Sequence, residues 1–362
     1  MRALRTYILP GLIFQSVVIG GGYATGRELV AFFLPSGPVG GVLGLLLAGL
    51  IFGLVLAAGF EFARVTGAYD YRHFCRALLG RGWVAFEAAY FVLMLLILSV
   101  IGSAAGALAA DMTGVPALVG TIVLMALIGL LTFKGSGLIA RVLSAWSLVL
   151  YAVYIVLFVL AFTRLGAEIS DTFNHAPNTL GWLSGGFLYA GYNLATLPAV
   201  LFAVRHLSSR KETVGAGFIA GAISVIPAIL FYIAMMGLYP EIGNEPVPST
   251  LLMQSLHAGW LGLVFQLVVF GTFVETGTAL LHAVNERLSA AFEDNNRELP
   301  QPARPLVAVA FLTVSIFAAE TVGIIDLIAR GYSVLTLVFI AILVIPLLTV
   351  GIYKIHKPKA LS

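Results

Sequence analysis

Long apolar runs separated by short polar stretches dominate the chain. A helix needs about 20 apolar residues to cross the hydrocarbon core of a bilayer. On that ruler ten runs qualify: 7–33, 38–62, 83–109, 114–133, 138–162, 181–204, 213–238, 258–284, 305–321 and 332–353. The period-2 alternation of an outer-membrane barrel is absent, so the pattern predicts α-helix throughout. The first run follows Arg2 and Arg5, yet no small-residue cleavage site ends it, and it reads as a span rather than a signal peptide. Basic residues orient the whole. With the N-terminus inside, 17 of the 20 Lys and Arg fall at inner ends or inner loops, and only Arg27, Arg164 and Arg330 do not. An odd number of spans would break that pattern, so ten spans with both termini cytoplasmic are predicted.

Composition narrows the class. The chain is 60% hydrophobic and 10% charged, with a mean hydropathy of +1.02, whereas soluble domains carry about 25% charged residues. A soluble enzyme, a disordered chain and a nucleic-acid partner are excluded, and the net charge of +3 does not argue for one. The bilayer is the partner. The single cysteine, Cys75, excludes an intramolecular disulfide and a Cys-based metal set. No Walker, GxSxG or HExxH motif occurs, so neither an ATP-driven pump nor a familiar hydrolase is indicated, and no cofactor is expected. The outer stretch 239–257, with Pro240, Pro246 and Pro248, reads as a structured lid between spans seven and eight, and 285–304 as a solvated linker. Neither marks a second domain; residues 1–362 form one transmembrane unit.

Two spans look interrupted. The first contains Gly20-Gly21-Gly22-Tyr23-Ala24-Thr25-Gly26-Arg27-Glu28. Three consecutive glycines at mid-membrane depth each cost a helix roughly 1 kcal/mol relative to alanine. Unwound backbone in lipid is tolerated only where it is buried or lines a cavity, and the charged pair beside it must face protein or water. The sixth span carries Tyr189-Ala190-Gly191-Tyr192-Asn193-Leu194-Ala195-Thr196-Leu197-Pro198. Gly191-Tyr192 echoes Gly22-Tyr23, and the two lie at the centres of the first helices of two five-span halves, 7–162 and 181–353. Five is odd, so the halves enter the membrane from opposite sides, an inverted repeat whose paired interruptions point to a binding site. Unwinding is expected near 20–23 and 190–193. Candidate solute contacts are Gly20, Gly21, Gly22, Tyr23, Thr25, Tyr189, Gly191, Tyr192 and Asn193. The plainer reading of the glycines is a close-packing helix face.

This layout resembles the LeuT fold of the amino acid–polyamine–organocation superfamily. More narrowly, residues 21–28 resemble the opening of YkvI-type bacterial membrane proteins. The Asp-Pro-Gly-Asn motif of the metal-transporting branch is absent at the matching place. The resemblance implies a secondary transporter of the bacterial inner membrane that moves a small organic solute, an amino acid or related amine, coupled to Na⁺ or H⁺. It places Tyr90 near the same cavity. It also sets Glu275-Thr276 on the helix-eight hydroxyl pair that helps form a cation site, with carbonyls from Ser16 and Ile19. Thr272, Glu275 and Thr276 share one helical face, and a mid-membrane carboxylate is costly enough to need a reason. A structural ion pair between Glu275 and Arg27 is the alternative. The resemblance further suggests an outer gate between Arg27 and Asp326; a local Asp326–Arg330 pair, or Arg27 holding a solute carboxylate, stand beside it. Glu61 and Glu87 are expected to pair with neighbouring arginines. A transport-inactive sensor or assembly factor on the same fold is the competing function.

Overall fold

Apolar residues on every face of a run leave helix as the form that satisfies the backbone within lipid, and every element among the described residues is helical. The computed structural model describes residues 3–134, 136–176, 178–257, 259–293, 300 and 303–357. The predicted inner-side residues Arg2, Arg297 and Lys359 lie outside them, as do the side chains of Lys134 and Arg141.

The first span is three pieces, α1 (Leu9–Val18), α2 (Gly21–Ala24) and α3 (Arg27–Phe33), which turn at Gly37 (φ 70°) into α4 (Gly37–Thr66). A short amphipathic helix, α5 (Tyr71–Leu79), follows where the hydropathy pattern shows only an inner loop. Its start is capped by Asp70, whose side chain accepts from the His73 amide at 3.0 Å, and it buries Phe74, Cys75 and Leu78 on one face. Next come α6 (Trp83–Thr113), α7 (Ala117–Lys134), α8 (Ser136–Arg164) and α9 (Gly166–His175), the last bent 72° from α8.

The sixth predicted span is α10 (Trp182–Leu194) and α11 (Leu197–Val200), meeting at 51°. A capping box of Ser209 and Glu212 opens α12 (Arg210–Met235). The lid contains α13 (Pro248–Ser255), followed by α14 (Gly259–Glu293) and α15 (Ala303–Asp326). The chain then continues in wide helical turns through α16 (Ser333–Phe339) to α17 (Ile352–His356). Residues 303–356 form a 54-residue apolar helical stretch. At about 1.5 Å per residue it is more than twice the thickness of a hydrocarbon core, and Gly323 (φ 76°, ψ 159°) divides it. Among the described residues, five helical stretches are each long and apolar enough to cross a bilayer, seven if each bent pair counts once.

Two groups of helices emerge. In one, α4 packs against α12 and α10, and α1 against α12; in the other, α6, α7, α14 and α15 pack together. Small residues make the first group possible, because lipid offers no hydrophobic drive between helices and close backbone approach must supply the attraction. On α4, Gly49, Gly53 and Ala57 recur every four residues; on α12, Gly217 and Gly221 answer them. A Cβ at Gly221 would lie 2.5 Å from the Gly49 carbonyl oxygen and from the Gly53 nitrogen. On the other side of α4, Leu46, Leu50 and Leu54 are exposed, as lipid-facing positions should be. The seam is pinned at both ends. Near Thr66, Glu61 takes Arg64 at 2.7–2.8 Å and the Thr213 hydroxyl at 2.7 Å. At the other end, the Tyr232 hydroxyl donates to the Gly37 carbonyl at 2.9 Å.

The seam predicts a contrast between two alanine substitutions. Gly221→Ala should lower stability by about 1–3 kcal/mol through overpacking against backbone that cannot yield. Gly166→Ala, with nothing within 4 Å of the added carbon, should stay within roughly 0.5 kcal/mol of wild type. Thermal unfolding in detergent compares them; equal stability would show that the two helices are not held by close approach.

Candidate functional site

The first interruption follows from its glycines. Helix α1 ends when Ile19 takes ψ 68° and the Gly20 amide donates back to Val18 at 2.8 Å. One turn, α2, intervenes before Gly26 takes φ 80°, a left-handed conformation that favours glycine. Its other side is closed by Met235, Phe231 and Pro248, with the Met235 sulfur 2.9 Å from where a Cβ would stand. The carbonyls released by the break are taken up one by one. Gly22 accepts from the Thr25 hydroxyl at 2.8 Å, Ala24 from Tyr154 at 3.0 Å, and Thr25 from the Ser249 amide of the lid at 2.9 Å.

Arg27 and Glu28 then part. The Arg27 guanidinium donates to the lid carbonyls of Gly243 and Glu245 at 2.8 and 2.9 Å. Glu28, buried on the first turn of α3, turns back toward the break, where a Cβ on Gly22 would collide with its carboxyl group. Its Oε2 accepts from the Tyr192 hydroxyl. The Tyr192 ring is stacked on Tyr332, centroids 4.4 Å apart.

In the sixth span the backbone stays helical through 190–193, and the bend falls at Ala195 and Thr196. This corrects the expected position, and Pro198 gives the reason. Its ring lacks an amide hydrogen and clashes with the carbonyl four residues back, which is Leu194, the last residue of α10. The Thr196 hydroxyl takes up the Asn193 carbonyl at 2.7 Å.

Between the two helix groups lies a cavity of about 350 Å³. Its wall includes Ser16, Ile19, Gly20, Gly22 and Glu28 from the first span, with Tyr90 and Tyr151 from α6 and α8. Tyr192, Asn193 and Thr196 border it from the sixth span, Thr272, Glu275 and Thr276 from α14, and Tyr332 from the last stretch. Lining residues Ser16, Val17, Ala199 and Ala279 are exposed, whereas residues 22–30, toward the lid, are all buried. The cavity therefore opens at the end of the bundle where α1 begins and is shut at the lid. The Ser16 and Thr272 hydroxyls donate to the Ile13 and Val268 carbonyls at 2.8 and 3.0 Å. Their oxygens keep lone pairs for a cation.

Of the residues singled out from sequence, Gly20, Gly22, Tyr90, Tyr192, Asn193, Ser16, Ile19, Thr272, Glu275 and Thr276 share this wall. Tyr23, Thr25, Tyr189 and Gly191 lie outside it. Thr25 is occupied within the break, and Tyr189 is packed edge-on against Phe33 with centroids 5.2 Å apart. A Cβ on Gly191 would meet Thr336 of α16. The Tyr23 and Tyr189 hydroxyls are buried without a hydrogen-bond partner among the described residues. The surroundings of Gly21 lie outside the described residues. Arg27 and Asp326 do not meet: Arg27 is occupied by the lid carbonyls, and Asp326, exposed, pairs with Arg330 one turn along at 3.2 Å.

Sequence reasoning left three polar wall residues unassigned, Tyr151, Thr196 and Tyr332, and gave Glu28 no role beyond polarity. Only Glu28 carried a signal, as an acid beside the glycine run. Near the open end, Arg287 of α14 sits 3.7 Å from the Tyr71 ring centroid and 4.1 Å from that of Tyr90. It also pairs with Glu87 at 3.1 Å, so the arginine pairings expected for Glu61 and Glu87 are present.

No protein-family model matches the chain. The uncharacterized membrane protein YkvI of Bacillus subtilis (strain 168) is 23% identical over 287 residues, 77% of this chain and 80% of that protein. Among solved structures, the manganese transporter of Eremococcus coleocola, in complex with an aromatic bis-isothiourea substituted compound, matches at a TM-score of 0.58 and 14% identity. The match covers 96% of this chain and 79% of that one. A mutant of the same transporter matches at 0.56 and 15% identity over the same shares. The chain is thus a helical membrane protein homologous to YkvI, and it shares its fold with a solved transporter.

Proposed function

We propose that this protein is a secondary active transporter that moves a small organic solute, an amino acid or related amine, by alternating access driven by Na⁺ or H⁺. The observation that carries the reading is the cavity itself: two interrupted helices border it, it holds carboxyl groups from two elements, and it is open at one end only. A channel needs a continuous path; a carrier needs a site that closes on one side before it opens on the other. Ten passes as two inverted five-helix repeats accommodate every helical stretch described, with α1–α3 as one pass, α10–α11 as another, and Gly323 dividing the last two. With both termini cytoplasmic, the cavity faces inward and the lid seals the outside. The small-residue seam lets α1, α4, α10 and α12 rock as a unit against α6, α7, α14 and α15.

Manganese is the cargo of the solved relative. An organic solute is favoured here because the metal-branch motif is missing at the first break and, among the described residues, no three His, Cys, Asp or Glu side chains cluster to hold a metal ion. Glu275, with the Thr272 and Thr276 oxygens on its face and Ser16 and Ile19 across from it, is assigned the coupling ion. A carboxylate there changes its charge balance when Na⁺ or H⁺ arrives, which links occupancy to conformation. Arg27 holds the outer side shut through main-chain carbonyls of the lid.

Purified protein screened by thermal shift against amino acids and amines, with and without Na⁺, should show stabilisation by at least one solute. That solute should accumulate in proteoliposomes only under an ion gradient. Glu275→Gln should abolish accumulation and retain exchange of bound solute; accumulation at the wild-type level would remove Glu275 from coupling.

The latch has its own test. Cys75 is the only cysteine, so a Cys75→Ser background allows Thr250→Cys, on a buried position of the lid helix α13, to report outer opening. Loss of charge-assisted bonds of about 1.5–3 kcal/mol in Arg27→Gln should raise labelling by an impermeant maleimide roughly tenfold. Unchanged labelling would mean that the latch does not control the lid.

A further inference from the structure

Glu28 is the second carboxyl group of the cavity, and the reading above assigns it nothing. Its place is built rather than incidental. The left-handed Gly26 starts α3 at the residue before Arg27. Gly22 leaves the space that the carboxyl group fills. Tyr192, itself stacked on Tyr332, donates to one of its oxygens. Glu28 is only 4% exposed, and no ion pair joins it to any described residue. The adjacent arginine does not neutralise it, because its guanidinium is bound to the Gly243 and Glu245 carbonyls.

An acid withdrawn from water to this degree needs a cationic partner or a proton, and one phenol hydroxyl does not supply a charge. The cavity is the open approach to it. Tyr192 and the Tyr332 stacked on it stand beside Glu28, Tyr90 and Tyr151 line the same cavity, and none of its described lining residues is Lys, Arg or His. A buried carboxylate attracts an organic cation. Among the described lining residues a solute carboxylate would find no basic side chain to receive it, and Arg287, beside Tyr90, is already paired with Glu87.

We propose that Glu28 is the recognition group of the site and that the solute is an organic monocation, a primary amine whose ammonium group pairs with the Glu28 carboxylate. Its apolar body lies in the cavity beside Tyr192 and Tyr332. This rests on the transporter reading and narrows it, selecting the amine over the zwitterionic amino acid. Glu275, on α14, keeps the coupling ion, so the two acids divide solute from ion.

Three probes that share one ring and differ in charge test the assignment: tyramine, tyrosine and 3-(4-hydroxyphenyl)propionate, with isoamylamine and leucine as an aliphatic pair. Full-length protein in nanodiscs should be stabilised by the two amines and not by the amino acids or the acid. Glu28→Gln should weaken tyramine binding at least roughly tenfold, with Glu28→Asp between the two. Tyrosine binding as tightly as tyramine, or Glu28→Gln binding tyramine like wild type, overturns the proposal. The charge series on the unaltered protein decides it even where Glu28→Gln does not fold. Gradient-driven uptake of tyrosine or leucine without the amines defeats the assignment of Glu28 and leaves the transporter intact. Absence of binding by every probe also defeats it, and the maleimide labelling of the lid then judges alternating access separately.

Discussion

Inside a bilayer a helix can be broken only where the backbone groups it releases find partners within the protein or line a cavity, and the site is organised around that requirement. The Gly22, Ala24 and Thr25 carbonyls are answered by a neighbouring hydroxyl, by Tyr154 of α8 and by the lid amide of Ser249. Each answer fixes a second element against the break. The lid is seated because the break offers it an acceptor. The same breaks turn Arg27 one way and Glu28 the other, since an arginine and a glutamate on one helical turn diverge by about 100°. One side chain therefore reaches the lid while its neighbour reaches the cavity.

The close α4–α12 seam has the opposite character. It contains almost no polar chemistry in the middle, only backbone approach at Gly49, Gly53, Gly217 and Gly221, with hydrogen bonds confined to its ends at Glu61 and Gly37. Such a seam is stiff along its length and has few partners to lose when it tilts as a body. The cavity lies between this group and α6, α7, α14 and α15, so the rocking proposed above would change access without rebuilding either side.

Much of this is legible in the chain. The apolar runs, the glycine-rich break, the lid and the face shared by Thr272, Glu275 and Thr276 are local patterns with periods a reader can follow. The position of the second bend was legible too, through Pro198, although the Gly-Tyr echo drew the expectation a few residues too early. What could not be read is long-range. Arg27 meets carbonyls more than 200 residues away, and main-chain acceptors leave no mark in a sequence, so the gate with Asp326 rested on the resemblance alone, while the local Asp326–Arg330 pair weighed beside it is the one present. Tyr332 reaches the wall because the last stretch winds in wide turns, which shift side chains off the 3.6-residue period that sequence reasoning assumes.

Because Arg27 grips peptide oxygens and not an acidic side chain, the lid can vary in composition without losing its hold. A carbonyl is present whatever residue supplies it, and it does not titrate. Acidification of the medium on the lid side would leave this fastening untouched, where a carboxylate partner would release. Lid sequences among homologues are then free to drift, provided that the chain between Pro240 and Pro248 keeps its course; the arginine is the one member of the pair that selection can see.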